Sequence, residues 1–286
     1  MAKQNSILSQ TVFPQIESAG TLSEAPRRHL EGTFEEERKD TDGENRTTVL
    51  EKGKLILFPV PIGADDINVS LPTANLDLLS SCRTFIVEEL RTARRFLKKA
   101  GYPYAIDDTQ FFELNEHTTH KEIGCYLDAI ERGENVGLLS EAGLPCVADP
   151  GAMITRIAQR RGIEIVPLVG PSSLMLALMA SGFNGQSFAF VGYLPVDKNK
   201  RNTTIHRLEE RLHREHQTQI FIEAPYRNNQ MLEALCTALQ PETLICVACD
   251  LTLPTQQIRS LPAARWKKER MGWNLHKRNT VFLIGE

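Results

Sequence analysis

Three apolar runs, each the length of a strand, end in loops built from glycine, proline and small residues. LILF runs into PVPIG (59–63), NVGLLS into SEAGLPCVADPG (140–151), and IEIVPL into VGPSS (169–173). Nearly continuous hydrophobicity fits strands buried on both faces, as in a parallel sheet. In open α/β sheets the loops at the carboxyl ends of the strands converge on the ligand. Small residues there let a ligand approach backbone groups closely. Taken singly, each loop reads as a tight turn needed for compactness; three in one half of the chain point to a site.

The segments between these runs are helical and stop at glycines. A helix near Thr73–Ser81 precedes the strand TFIVEE (84–89), and the basic helix LRTARRFLKKAG ends at Gly101. A short strand at Gln110–Leu114 leads to a helix over Thr119–Arg132, and a further helix spans Ala152–Arg161. This strand–helix alternation reads as α/β with a mostly parallel sheet. After Gly182 the pattern changes. Strands at 188–194, 218–224, 244–252 and 280–285 bracket helices at Asn199–His216 and Tyr226–Leu239. Shorter β-like pieces fall near Thr255–Arg259 and Arg265–Lys268. Late strands without intervening helices suggest a mixed sheet with antiparallel pairs. The expected domains are therefore 49–184 and 185–286, both α/β. Residues 1–48 carry 6 Lys/Arg against 9 Asp/Glu and only Phe13 and Phe34 as aromatics. Such a segment buries too little apolar surface to offset its ordering entropy and is expected to be a disordered tail.

Charge and cysteine usage narrow the function. The whole chain has a formal charge of −3, all of which lies in residues 1–48, so the remaining 238 residues are formally neutral. Charge thus neither excludes nor establishes RNA as a partner. No apolar run approaches membrane-spanning length and the first residues lack a secretory pattern, so a cytoplasmic protein is expected. The six cysteines then read as free thiols. Cys246 and Cys249 lie in the strand-like run LICVAC, where positions i and i+3 face opposite ways, so no metal site is expected. The phosphate-cradling patterns G-x-G-x-x-G and G-x-x-x-x-G-K-[ST] are missing, and so is the G-x-S-x-G elbow. A ligand without phosphate, such as S-adenosylmethionine, suits these loops better than NAD or ATP.

Taken in order, PVPIG, FIVEELRTARRFL, GLLSEAGLPCVADPG, IVPLVGPSSLMLALMASG, FAFVGYLP and IFIEAPYR resemble the tetrapyrrole (corrin/porphyrin) methylase superfamily. Within it they are most similar to the branch that methylates small-subunit ribosomal RNA. The resemblance covers roughly residues 53–286. It implies a two-domain α/β fold, a mostly parallel first sheet and a mixed second one, with S-adenosylmethionine in the interdomain cleft and a homodimeric assembly. Position by position, it implies a cofactor site made of Pro61, Ile62, Gly63, Gly143, Leu144, Pro145, Val147, Ser172 and Ser173. The second domain would add Ala224, Pro225, Leu253 and Pro254. For this branch it implies methyl transfer to a ribose 2′-hydroxyl, with 30S ribosomal RNA as partner.

The chain also departs from that branch. Val87–Arg91 reads V-E-E-L-R where A-E-D-T-R is usual, Asn115–Thr119 replaces H-E-H-N-E, and Cys249–Leu253 replaces R-E-L-T-K. Two other readings therefore stand beside RNA methylation: methylation of a small tetrapyrrole-like metabolite, and a non-catalytic S-adenosylmethionine-binding homologue.

Methyl transfer from a sulfonium needs positioning above all. A hydroxyl acceptor also benefits from a base. Glu88, at the end of a strand, and His117, in a neighbouring loop, are the candidates. The plainer readings are an ion pair of Glu88 with Arg91 or Arg94, and a surface position for His117. For the substrate side, Arg91, Arg94 and Arg95 on the basic helix are candidate phosphate contacts, and Tyr226 and Arg227 a candidate stacking pair. A second basic group, from Lys267 to Arg278, is another candidate patch. Solvated faces and helix capping are the bland alternatives.

Overall fold

A computed structural model describes residues 52–63, 66–115, 118 and 123–286. These belong to one compact unit spanning Val49–Glu286. The expected tail at 1–48 and the catalytic candidate His117 lie outside the described residues.

The first half forms a five-stranded sheet in the order β3-β2-β4-β1-β5. Its strands are β1 (Leu55–Phe58), β2 (Cys82–Val87), β3 (Gln110–Glu113), β4 (Asn135–Leu139) and β5 (Ile165–Pro167). All pairs are parallel. One face packs Leu55, Ile86, Val136 and Leu138 against Leu127, Ile130, Ile154 and Ala158; the other packs Ile56, Phe58 and Phe85 against Leu79, Leu97 and Tyr102. Burial on both faces is why these strands read as unbroken apolar runs. The connecting helices are α1 (Thr73–Leu78), α2 (Leu90–Lys99), the short α3 (Asp128–Glu131) and α4 (Ala152–Arg160).

The second sheet has the order β6-β7-β10-β8-β9. It comprises β6 (Phe188–Tyr193), β7 (Thr218–Ile222), β8 (Leu244–Cys249), β9 (Gln257–Pro262) and β10 (Thr280–Gly285). Only β6 and β7 run parallel; the other pairs are antiparallel, as late strands without intervening helices predict. Helices α6 (Lys198–Glu215), α7 (Asn228–Ala238) and α8 (Ala263–Glu269) supply one face of its core. The opposite face is covered by α5 (Ser173–Ser181), whose Leu174, Ala177 and Leu178 pack on Ile220, Cys246 and Leu283.

Cys246 lies in the cluster beneath α5 and Cys249 in the cluster on the other face, as strand alternation requires. Burial pushes the Cys246 thiol up to about 11. Among the described residues no group of three metal-ligating side chains comes together, and no helix is long and apolar enough to cross a membrane.

One local expectation fails, and a second element is interrupted. Residues 265–268 are helical, not β: Ala263 and Trp266 are buried three residues apart, and Trp266 Nε1 donates to the Ile245 carbonyl at 2.8 Å. The period of that short segment is helical, and the strand before it runs to Pro262. In the stretch expected as a helix over 119–132, residues 119–122 lie outside the described ones, Ile123 is helical, and helix resumes at Asp128–Glu131. A turn at 124–127 separates the two, and Gly124 there is a poor helix former.

Candidate active site

The three small-residue loops touch one another because their glycines allow it. Val60 and Gly143 form an isolated antiparallel bridge, with reciprocal N–H···O contacts of 2.9 and 3.0 Å. Gly143 sits at φ +77°, and a Cβ there would lie 3.2 Å from Ile62 Cγ2. The third loop is packed still more tightly: a Cβ on Gly170 would stand 2.2 Å from Pro59 Cβ. The Ser172 hydroxyl accepts from Met175 N and starts α5. The loops of β1, β4 and β5 therefore converge, as the carboxyl-end rule for parallel sheets requires.

A cavity of about 360 Å³ opens where these loops meet residues of β6, β7, β10 and β8 in the second sheet. From the first sheet it is lined by Ile62, Glu88, Glu141, Gly143, Leu144, Val147, Asp149, Ser172 and Ser173. From the second come Phe190, Tyr193, Ile222, Glu223, Pro225, Ala248, Leu251, Asn279, Thr280 and Val281. Of the candidate cofactor residues, Ile62, Gly143, Leu144, Val147, Ser172, Ser173 and Pro225 reach the wall. Pro61, Gly63, Pro145, Ala224, Leu253 and Pro254 do not. Gly63 backs directly onto the 251–253 loop, since a Cβ there would lie 2.9 Å from Leu253 Cγ.

Several wall residues have no signal in the sequence. Glu141 and Asp149 flank the glycines of the second loop and carry no motif of their own. Tyr193 ends a strand and reads only as part of it. Asn279 and Thr280 precede or open β10, which runs antiparallel, so they reach the site from a strand's amino end. A rule about carboxyl ends cannot find them.

The wall is acidic. Glu88, Glu141, Asp149 and Glu223 line it, and no Lys, Arg or His does among the described residues. Burial, reinforced by Asp149 and Glu141, raises the Glu88 carboxyl above the usual carboxylate range. Burial also raises Asp149, against two backbone hydrogen bonds that its Oδ1 accepts, from Cys146 N at 3.2 Å and Gly151 N at 2.6 Å. Those bonds brace a strained loop, in which Cys146 (φ +68°) and Ala148 (φ +58°) adopt the left-handed conformation. Glu141 accepts from Thr92 Oγ1, which ties the start of α2 to the same loop. Glu223, almost fully buried, accepts from Ala224 N and from Arg227 Nε. Such a cavity favours a cationic ligand and opposes a phosphate.

Glu88 makes no ion pair or hydrogen bond with Arg91 or Arg94, so the plain reading of its role does not hold. The neighbouring Glu89 is the residue engaged in structure: its side chain accepts from Arg91 N and Thr92 N and caps α2. Along α2, Ala93 and Leu97 are buried while Arg91, Arg94, Arg95 and Lys98 are exposed. Arg94 lies over the Phe111 ring at 5.7 Å. None of these cations lines the cavity; the basic face starts beside it, because α2 begins two residues after Glu88. Arg278, grouped in sequence with the second basic patch, is committed to structure. It donates to Asp250 Oδ2, Gln257 Oε1 and the Thr255 carbonyl at 2.8, 2.8 and 2.6 Å.

Comparisons with known proteins agree with this architecture. Residues 59–265 match the family model for tetrapyrrole (corrin/porphyrin) methylases. Proteins named ribosomal RNA small subunit methyltransferase I are similar: that of Pseudomonas aeruginosa is 33% identical over 74% of this chain and 71% of its own length. The one from Escherichia coli O157:H7 is 28% identical over 76% of this chain and 73% of its own. Among solved structures, the methyltransferase CobJ superposes with a TM-score of 0.54 at 18% identity, covering 82% of this chain and 94% of that one. The cobalt precorrin-4 methyltransferase CbiF gives 0.52 at 16%, with the same coverage. At such identities these two establish likeness of fold.

Proposed function

The chain belongs to the tetrapyrrole methylase family and is a methyltransferase, and from that premise we propose that it transfers the methyl group of S-adenosylmethionine to a ribose 2′-hydroxyl of small-subunit ribosomal RNA. The observation that carries this reading is the charge of the cavity. Four carboxylates and no basic side chain among the described residues surround a space of about 360 Å³, within the size range of small-molecule sites. That lining suits a sulfonium cation.

Ile62, Gly143, Leu144, Val147, Ser172, Ser173 and Pro225 would hold the donor. When bound, the donor supplies an electrophilic methyl group on sulfur. The protein has to align an acceptor oxygen with that methyl group and to take its proton. Glu88 suits the proton transfer, because it faces the cavity, has no ion pair among the described residues, and has a raised pKa that makes it the stronger base. His117 stays a candidate for the same role. Arg91, Arg94 and Arg95 would hold phosphates at the mouth, outside the acidic wall, with Tyr226 and Arg227 on the acceptor side.

A tetrapyrrole-like acceptor is the second reading, favoured by the likeness of fold to corrin methyltransferases. Carboxylated macrocycles would meet the acidic wall without a free counter-cation, which counts against it. We further propose two domains, 49–184 and 185–286, meeting at the cavity, and a cytoplasmic homodimer. Met179 and Val169, exposed apolar side chains on and just before α5, offer a subunit contact that light scattering tests. The decisive experiment gives labelled S-adenosylmethionine to the protein with 30S subunits, free RNA and a small-molecule extract. Label in RNA, at alkali-resistant linkages, supports the reading. Label only in small molecules overturns it, and donor binding without transfer to anything favours a non-catalytic homologue.

A further inference from the structure

The chain has five tyrosines, and the structure treats them in two ways. Tyr102 and Tyr126 are buried and Tyr104 is half-buried beneath the Arg83 guanidinium. Tyr193 and Tyr226 are each 62% exposed. Tyr193 lines the cavity directly, and Tyr226 follows Pro225, which does. Tyr193 ends β6 in register with Ile222, the last residue of the neighbouring parallel strand β7, and Tyr226 lies in the turn Pro225–Arg227 that follows β7. Both residues thus lie at the carboxyl end of this parallel pair, the end that meets the cavity through Tyr193, Ile222 and Pro225.

Tyr226 is also braced. The Arg227 guanidinium lies 5.2 Å from its ring centroid, and Arg227 Nη1 donates to the tyrosine oxygen at 3.3 Å. Arg227 is in turn held by Glu223, a buried wall carboxylate that also accepts from Ala224 N at 2.8 Å. The Pro225 carbonyl accepts from Lys277 N at 2.9 Å and anchors the turn from the other side. An aromatic side chain so fixed, yet left largely open to water, is preorganised for binding: little freedom remains to be lost when a planar group stacks on it.

We propose that Tyr193 and Tyr226 form a stacking platform for one unstacked base of single-stranded RNA, seated at the cavity mouth so that its own ribose faces the donor. The inference rests on the methyl-transfer reading above and names its acceptor subsite. A nucleobase is uncharged, so the acidic wall does not repel it, whereas the flanking phosphates stay outside with the exposed arginines of α2. Stacking on aromatic rings tolerates any base. Enzymes acting on a single nucleotide take it out of its stack in this manner.

The test uses the full-length protein and two probes: methyl transfer to 30S subunits, and anisotropy of a labelled short oligoadenylate. Donor affinity, measured by calorimetry, reports whether the cavity is intact. Tyr193→Ala and Tyr226→Ala are expected to weaken oligoadenylate binding and kcat/KM by about 5- to 100-fold each. Tyr193→Phe and Tyr226→Phe should stay near wild type, and donor affinity should be unchanged in the Tyr226 variants, whose side chain is not part of the cavity wall. Wild-type-like transfer and binding in both alanine variants would overturn the platform while leaving RNA methylation standing. Tyrosine-dependent oligoadenylate binding without transfer to RNA would sink the reaction and keep the platform. No transfer and no oligoadenylate binding by the wild type would overturn both.

Discussion

Arg278 donates from Nε to Asp250 Oδ2 at 2.8 Å, and this pair ties the segment before β10 to the loop after β8. Both segments supply the cavity wall, through Leu251 on one side and Asn279 and Thr280 on the other. Asp250 N also donates to the Asn279 carbonyl at 2.8 Å. Arg278→Met removes the cation from a mostly buried carboxylate and is expected to cost about 3 kcal/mol. Urea unfolding would measure it, with a parallel loss of donor affinity by calorimetry. Arg278→Lys should recover only part of both, because an ammonium cannot replace a guanidinium fork. Equal stability of the methionine variant and wild type would show that the pair does not hold the loop.

Glu88 and Asp149 both have raised pKa values. Between the ordinary carboxylate range and those raised values, the folded state holds more protons than the unfolded one. Stability therefore falls as pH rises through that window. Activity should move the other way, since a base works only when ionised. Glu88→Gln is expected to flatten the stability decline, to remove the acidic limb of the rate profile, and to lower kcat by about 10²- to 10⁴-fold. An unchanged limb in the variant would take Glu88 out of proton transfer.

Val147 lines the cavity and is 43% exposed, so a large side chain at that position has room to fit without unfolding its surroundings. Val147→Trp should abolish donor binding in calorimetry while the melting temperature stays within a few degrees of wild type. Gly143 is a poorer site for such a test. Its φ of +77° and its bridge to Val60 mean that even alanine is expected to cost about 1–2 kcal/mol. Undiminished affinity in Val147→Trp would show that the donor binds elsewhere.

Gly170 meets the rigid Pro59 ring, and an added Cβ would stand 2.2 Å from it. Neither partner yields easily, so Gly170→Ala should destabilise by about 1–3 kcal/mol through overpacking, read from the urea midpoint. The same substitution should weaken donor binding, because it pries the β1 and β5 loops apart. A variant as stable as wild type would mean that these loops are free to separate.

Much of the fold is legible in the order of apolar runs and glycine stops. A strand buried on both faces must be apolar throughout, and a loop that lets another backbone approach must be small. Those two local demands bring out β1, β4, β5 and the loops after them. The opposite facing of Cys246 and Cys249 follows from strand alternation alone. Resemblance adds the second wall at Pro225. Helical period in so short a segment as Ala263–Glu269 does not register, nor does the turn at 124–127. Both depend on what the segment packs against, which lies far away in sequence.

The acidic cavity is the clearest product of long-range folding. Glu88, Glu141, Asp149 and Glu223 follow three different strands, β2, β4 and β7, and nothing in their spacing announces a common wall. Likewise, sequence groups Arg278 with a basic patch, while folding commits it to Asp250. The identity of a side chain and the period of its segment are local properties. They suffice for the strand–loop alternation, the family, and the half of the site that lies on strand ends. Charge and exposure are set by neighbours from distant parts of the chain. Which carboxylates meet, which arginines are already paired, and which two tyrosines are left open become visible only once the two sheets are packed.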